Sequence, residues 1–453
     1  MQFPAEFPAE FPRPMPFVGD PIAAMFPAGT VRGNYDSARL DALYLDTAMT
    51  QPLSALGSYA AALGSPVAAI RDQWGGPALV QPVDTKRALF GRHPPQIRQR
   101  LANSAFVGAA SGTPGATPTG WAWQSSTGTL VSTGDGTLTF SGTAARQIMG
   151  VAPTLAASGT NTFSAKVVAN PNSLALNQLI LALNGPTGVS LAYYANGASV
   201  NSNSYVPSAG DLISVVMTTT GTAGSITLRL GLGCSSAATG SVTLSEPQFE
   251  AGSSRTAYQR SAGIHDITET GQPDIWGLRF DGTDDAYSSA SPISLGTDEV
   301  CILASAYKMS DAATGMLAEL SASIAANNGT LQLTAPQSAA ATYGFASKGT
   351  AQSSATSAAS YAAPHGAIMT GQGKIASDLA TLRINGTQVA TSATDQGTGT
   401  YTSQTIYVGG RAGTSLFYNG WDHGLIYGGR IPDAAVLQRA ERYLGAKSRI
   451  TVA

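Results

Sequence analysis

Charge is what this 453-residue chain has least of: Asp, Glu, Lys and Arg together make up 11% of it, against roughly 25% in an ordinary soluble domain. The 25 basic and 27 acidic residues leave a net charge of −2. No basic field is present to hold nucleic acid or an anionic membrane. No run of about 18 apolar residues occurs, so no spanning helix is expected. The opening MQFPAEFPAEFPRPMPF has neither a basic leader nor a continuous apolar stretch, which argues against a secretory signal. Cys234 and Cys301 are too few for a disulfide framework; one bridge and two buried thiols both remain open, the buried thiols preferred. The four histidines, His93, His265, His365 and His423, are scattered. With no H-E-x-x-H, no cysteine pair at metal spacing, no G-x-S-x-G and no Walker loop, zinc, hydrolase and nucleotide chemistry are unsupported. Cleaving a sugar chain would require two carboxylates flanking the bond, and no motif supplies them, so no enzyme is expected.

Ser, Thr, Gly, Ala and Asn take the place of charge. Thr and the aromatics suit strands, and Gly, Asn and Pro suit turns, which predicts an all-β protein rich in loops. At 453 residues, two or three domains are expected. Residues 1–30 form a Phe/Pro-rich arm in which Phe3, Phe7, Phe11 and Phe17 recur between prolines. Proline forbids helix and central strand there, so the arm should be extended, with its phenylalanines docking into a partner. Residues 31–64 read as a connector. Strand candidates separated by Asn-Gly, Asn-Pro and Gly-Asp turns fill 98–262 and again 263–453, as two β-sandwiches require. Asn385-Gly386 should close a type I′ hairpin, and the Ser/Ala-rich 351–363 reads as an outer loop. A terminal helix should begin at Pro432-Asp433, with Val436, Leu437, Ala440, Tyr443 and Leu444 on one face.

Four groups of residues carry a resemblance. Val67–Gly75 (VAAIRDQWG), Gln81 and Arg92-His93-Pro94-Pro95 resemble the opening of concanavalin-like (laminin-G-type) domains in phage and bacterial surface proteins. Leu278–Asp285 (LRFDGTDD) is similar to the next landmark of that family. Ile406–Gly410, Phe417–Gly420 and Leu425–Tyr427 resemble its close. The Trp74-Gly75-Gly76-Pro77 turn departs from the family's Ser-Gly-Asn-Gly, and the acidic strand of concanavalin-like glucanases is absent. Leu101–Phe106, Pro118–Trp121 and Glu246–Gly252 (EPQFEAG) are similar to carbohydrate-binding-like jelly rolls of phage tail and fibre proteins. The order of these pieces implies a discontinuous sandwich, 65–97 plus 263–453, with 98–262 inserted as a second sandwich, since insertion at a loop is physically easy.

The resemblance implies a structural protein of a bacteriophage or phage-like particle, of head-fibre, spike or tail-fibre type, that displays glycan-binding-like sandwiches, with a polysaccharide depolymerase on the same scaffold and a purely architectural decoration protein as the alternatives. It would be assembled in the bacterial host cytoplasm and located in the virion. Its implied partners are other virion proteins, through the arm, and a host cell-surface glycan. The extended arm and low charge suggest a homo-oligomer, with a trimer as first expectation. Tyr193, Tyr194 and Asn196 beside an Asn-Gly turn, with Trp123 and Trp421, are the expected glycan contacts. Asp281, Asp284 and Asp285 could hold Ca²⁺, but a tight turn in which they bond nearby amides is preferred. No cofactor is expected.

Overall fold

A computed structural model of the chain describes residues 22, 24–27, 29–183 and 187–453. Its regular structure is nearly all strand, with one long helix, Ala434–Ser448, among the described residues. It divides into two compact units. The flanking unit takes the chain up to Phe90 together with Trp276–Ala453, and the middle unit is Gly91–Ile275.

In the flanking unit, Glu299–Lys308 is the key strand. Its sequence EVCILASAYK is buried at every position from Val300 onward, as a strand covered on both faces must be. Val300, Ile302, Ala304 and Ala306 face one core, shared with Leu317, Leu333, Phe345 and Met369. Cys301 and Leu303 face the other, against Leu437, Ala440 and Leu444 of the helix. The strand is flanked by His365–Lys374 and Asn419–Gly428. A second sheet runs from Leu43–Tyr44 through Ala69–Ile70, Leu79–Val80, Tyr287–Ser289, Ile406–Val408 and Met316–Leu320 to the edge strand Gln352–Thr356. The hairpin at Asn385-Gly386 has φ of 51° and 82°, the left-handed pair a type I′ turn requires.

Several expectations fail here. Residues 31–64 are no mere connector: Arg32–Tyr35 pairs with Asn419–Gly428, and Tyr35, Leu43 and Leu53 enter the core. The expected arm ends sooner than residue 30, because Ile22, Met25 and Phe26 are buried against the helix side of the sheet. Residues 351–363 are not all loop, since Gln352–Thr356 pairs with Gly344–Lys348; alternation of buried and exposed residues in QSSAT rests on small serines that a hydrophobicity pattern misses. The units pass into one another at 90/91 and 275/276, where the sequence suggested 97/98 and 262/263. The reason is that Arg92 and Arg98 pair with Asp266 and Glu269 within the middle unit. Cys234 and Cys301 are both free and buried; burial pushes the Cys234 thiol up to about 12.

The middle unit is a sandwich. Its seven-stranded sheet runs Ala198–Ser199, Val189–Ala195, Leu212–Thr219, Gly159–Ala169, Ala238–Ala251, Thr137–Ala145, Thr129–Ser132. Facing it is a four-stranded sheet of Ile180–Leu183, Thr227–Leu232, Gln147–Val151 and Ala122–Ser126. Phe140, Phe163, Val215, Phe249, Met149 and Leu230 fill the space between.

Candidate functional site

The period of two along a strand decides which side chains of the seven-stranded sheet reach a ligand. Tyr193, Val215, Phe163 and Phe249 lie in one cross-strand row and point into the core. Their neighbours Tyr194, Ser214, Ser164 and Gln248 form the next row, on the opposite face. Ser164, Gln248 and Glu250 are fully buried although they leave the core, because the segment after Ala251 folds back over them. Glu250 accepts hydrogen bonds from Thr256 N at 2.8 Å and Thr256 Oγ1 at 2.6 Å. Gln248 accepts from Gln259 N at 2.8 Å. These bonds replace a cation as the support for a buried carboxylate.

Between this strap and the sheet lies a groove of about 280 Å³, lined by Tyr194, Asn196, Ser214, Ser253, Ser254 and Arg255 among others. The Arg255 side chain is only 9% exposed, and its Nη2 donates to Glu246 Oε2 at 2.8 Å. Its Nη1 is buried and has no hydrogen-bond partner among the described residues. Burial lowers the guanidinium's pKa, against the opposing pull of Glu246. The groove is thus lined by one aromatic side chain, two exposed serines and a mostly buried guanidinium. Its lining contains no carboxyl group, histidine or cysteine.

Of the expected glycan contacts, the structure brings together two, Tyr194 and Asn196. The Asn196 side chain is spent on the hairpin: Oδ1 accepts from Leu212 N at 2.9 Å and Nδ2 donates to Asp211 at 2.8 Å. Tyr193 packs against the core instead of facing a ligand, since adjacent strand residues point opposite ways. Trp123 lies partly buried against the same core, its indole N–H donating to Gly115 O at 3.3 Å. Trp421 is fully buried in the flanking unit, out of reach of a surface ligand. Phe3, Phe7, Phe11 and Phe17 lie outside the described residues. Sequence reasoning missed Ser214, Ser253, Ser254 and Arg255. The available signal was the G-S-S-R run just after EPQFEA, where a strand ends in small polar residues and one cation.

Asp281, Asp284 and Asp285 do converge, with carboxylate oxygens within 4.8 Å of one another. Asp281 Oδ1 accepts from Thr283 N at 2.7 Å, and Asp285 Oδ2 accepts from Asp281 N at 2.8 Å. The carboxylates thus close the turn, and burial raises Asp285 to about 7. Such oxygens match a hard cation in type, while the amide bonds account for the acids without one.

No family model matches the chain, and no curated protein matches it. Among solved structures it is similar to the CBM40 module of a Ruminococcus gnavus IT-sialidase. That likeness has 16% identity and a TM-score of 0.25, over 30% of this chain and 82% of that one. The same module bound to alpha2,3 sialyllactose matches at 17% identity and a TM-score of 0.25, over 30% and 81%. A structure of botulinum neurotoxin type C matches at 12% identity and a TM-score of 0.28, over 37% of this chain and 42% of that one. At these scores the likenesses bear on neither the ligand nor the partners of this chain.

Proposed function

We propose that the chain is a non-enzymatic structural protein of a bacteriophage or phage-like particle, of head-fibre, spike or tail-fibre type, that uses its middle sandwich to contact a host-surface glycan. The single observation carrying the glycan half is the groove beneath the 252–258 strap, where Tyr194, exposed Ser253 and Ser254, and Arg255 converge. A sugar presents an apolar face to an aromatic ring and hydroxyl or carbonyl oxygens to donors. The particle half rests on the order of motifs and on the Phe/Pro-rich start of the chain. In that setting the arm docks into another virion protein, and the chain is a homo-oligomer, with a trimer as the simplest expectation.

A glycan array probed with the full chain tests the binding role. Tyr194→Ala and Arg255→Met should each weaken the retained signal at least tenfold. Equal binding by both variants would remove the groove from consideration.

A further inference from the structure

The flanking unit carries a groove of about 410 Å³ whose lining includes Val31, Arg32, Trp74, Pro77, Pro292 and Tyr427. Arg32 opens the strand paired with Asn419–Gly428, and Trp74 and Pro77 belong to the turn between Ala69–Ile70 and Leu79–Val80. The groove is largely apolar where it meets solvent: Val31 is 42% exposed, Pro292 is exposed, and Trp74 and Pro77 are half-buried. Among the described lining residues Arg32 is the only charged one. Its guanidinium lies 4.9 Å from the centre of the Trp74 ring and donates to Phe26 O. Asp72 attracts it from within the turn, but at 3% exposure that carboxylate gives the groove no anionic surface.

An aromatic wall with prolines and one guanidinium suits an extended peptide that carries aromatic and proline residues beside a carboxylate. The chain contains such a peptide: Phe3-Pro4-Ala5-Glu6, Phe7-Pro8-Ala9-Glu10 and Phe11-Pro12. Residues 1–21 lie outside the described residues, but the point where they join the unit is known. Ile22 and Phe26 are buried on the helix side of the sheet, and Phe26 meets Trp74 edge to face, the ring centres 6.2 Å apart. The N-terminal segment therefore joins the unit beside the groove. Its nine residues 13–21 reach up to about 30 Å, enough to bring the repeat back. We infer that the groove binds one Phe-Pro-Ala-Glu unit of this chain's own N-terminal segment, with Phe and Pro against Trp74 and the groove's prolines and Glu facing Arg32. The tether gives a local concentration of about a millimolar, so a sub-millimolar groove fills from its own chain before a second copy present at micromolar concentration. Docking also covers phenylalanines whose exposure would favour aggregation. The inference needs no particle and no glycan, so it and the functional reading above stand or fall separately.

The test is calorimetric titration of the full chain with a capped synthetic peptide of residues 2–12. Phe3→Ala, Phe7→Ala and Phe11→Ala together, made in the full chain, should open the groove without altering any described residue. This open variant should bind the peptide with a sub-millimolar Kd, and the parent should bind it about threefold more weakly or worse, because its own segment competes. A peptide with Glu6→Gln and Glu10→Gln should bind the open variant about threefold more weakly, as the loss of one exposed ion pair requires. That comparison holds the protein constant, so it decides the matter even if Arg32→Met fails to fold. With Arg32→Met added to the open variant, the two peptides should bind alike. Light scattering at micromolar concentration should give parent and open variant the same mass. Absence of peptide binding by the open variant, equal binding by the parent, or indifference to the glutamates would each overturn the inference. A lower mass for the open variant would place the segment on a second copy and overturn it too.

Discussion

Asp422 shows how much one residue's surroundings can do. It is 2% exposed, bonded by Ser37, and approached by Lys447. Burial outweighs these contacts and raises it to about 6, above the roughly 3.9 of an unfolded chain. Between those values the folded protein keeps a proton that the unfolded chain has released, so this group's contribution to stability is present at low pH and lost as pH rises through about 6. The shift corresponds to roughly 3 kcal/mol at 1.36 kcal/mol per unit. Asp422→Asn should therefore match the parent near pH 4 and exceed it at pH 7 by up to that amount. Chemical denaturation of both proteins at the two pH values measures it, and a constant difference would refute it. Phe163 sits at the other extreme, fully buried between the two sheets of the middle unit. Phe163→Ala should cost about 3–5 kcal/mol, read as a lower denaturation midpoint in that unit.

Among the elements, the terminal helix depends on a polar contact as much as on its apolar face. Glu441 is fully buried, yet it accepts from Arg383 at 2.8 and 3.0 Å and from Thr370 Oγ1 at 2.9 Å. Glu441→Ala leaves the guanidinium facing a cavity and should destabilise by about 3 kcal/mol, whereas Glu441→Gln should cost less; equal losses in melting would contradict this. The helix and the Asn385-Gly386 hairpin were legible in the sequence because each rests on local rules: a 3.6-residue apolar spacing and a turn that demands φ > 0. Gln147–Val151, Ala122–Ser126 and Gln352–Thr356 were not. Gln147–Val151 pairs with Thr227–Leu232 far along the chain, Gln352–Thr356 pairs with the adjacent Gly344–Lys348, and in these strands serines or glycines occupy positions where a pattern looks for Val or Ile. The candidate groove was half legible. The Asn-Gly turn flagged Tyr194, and the period of two puts Tyr193 and Tyr194 on opposite faces, but nothing local indicates which of them meets the groove or that residues 252–258 fold back over Gln248 and Glu250.

At the scale of the whole molecule, surface polarity comes from hydroxyls and amides rather than charge, with 11% charged residues. Association of this chain should therefore respond weakly to salt, since there are few ion pairs to screen. Light scattering at micromolar concentration should give a trimer's mass at both low and high ionic strength, and a monomer would defeat the oligomer expectation. Removal of residues 2–18 should leave both sandwiches melting as in the full chain while abolishing incorporation into particles.

The flanking unit draws its sheets from both sides of the middle one: Arg32–Tyr35 pairs with Asn419–Gly428, and Leu79–Val80 pairs with Tyr287–Ser289. On the ribosome, those early strands emerge long before their partners exist. At about 5–20 residues per second, the wait while Gly91–Ile275 is made amounts to roughly ten to forty seconds. During that interval the middle sandwich can finish folding, while Ala69–Ile70 and Leu79–Val80 remain apolar edges open to any passing chain. Expression yield should therefore depend on translation speed across this stretch and on holding chaperones, far more than the stability of the finished protein would suggest.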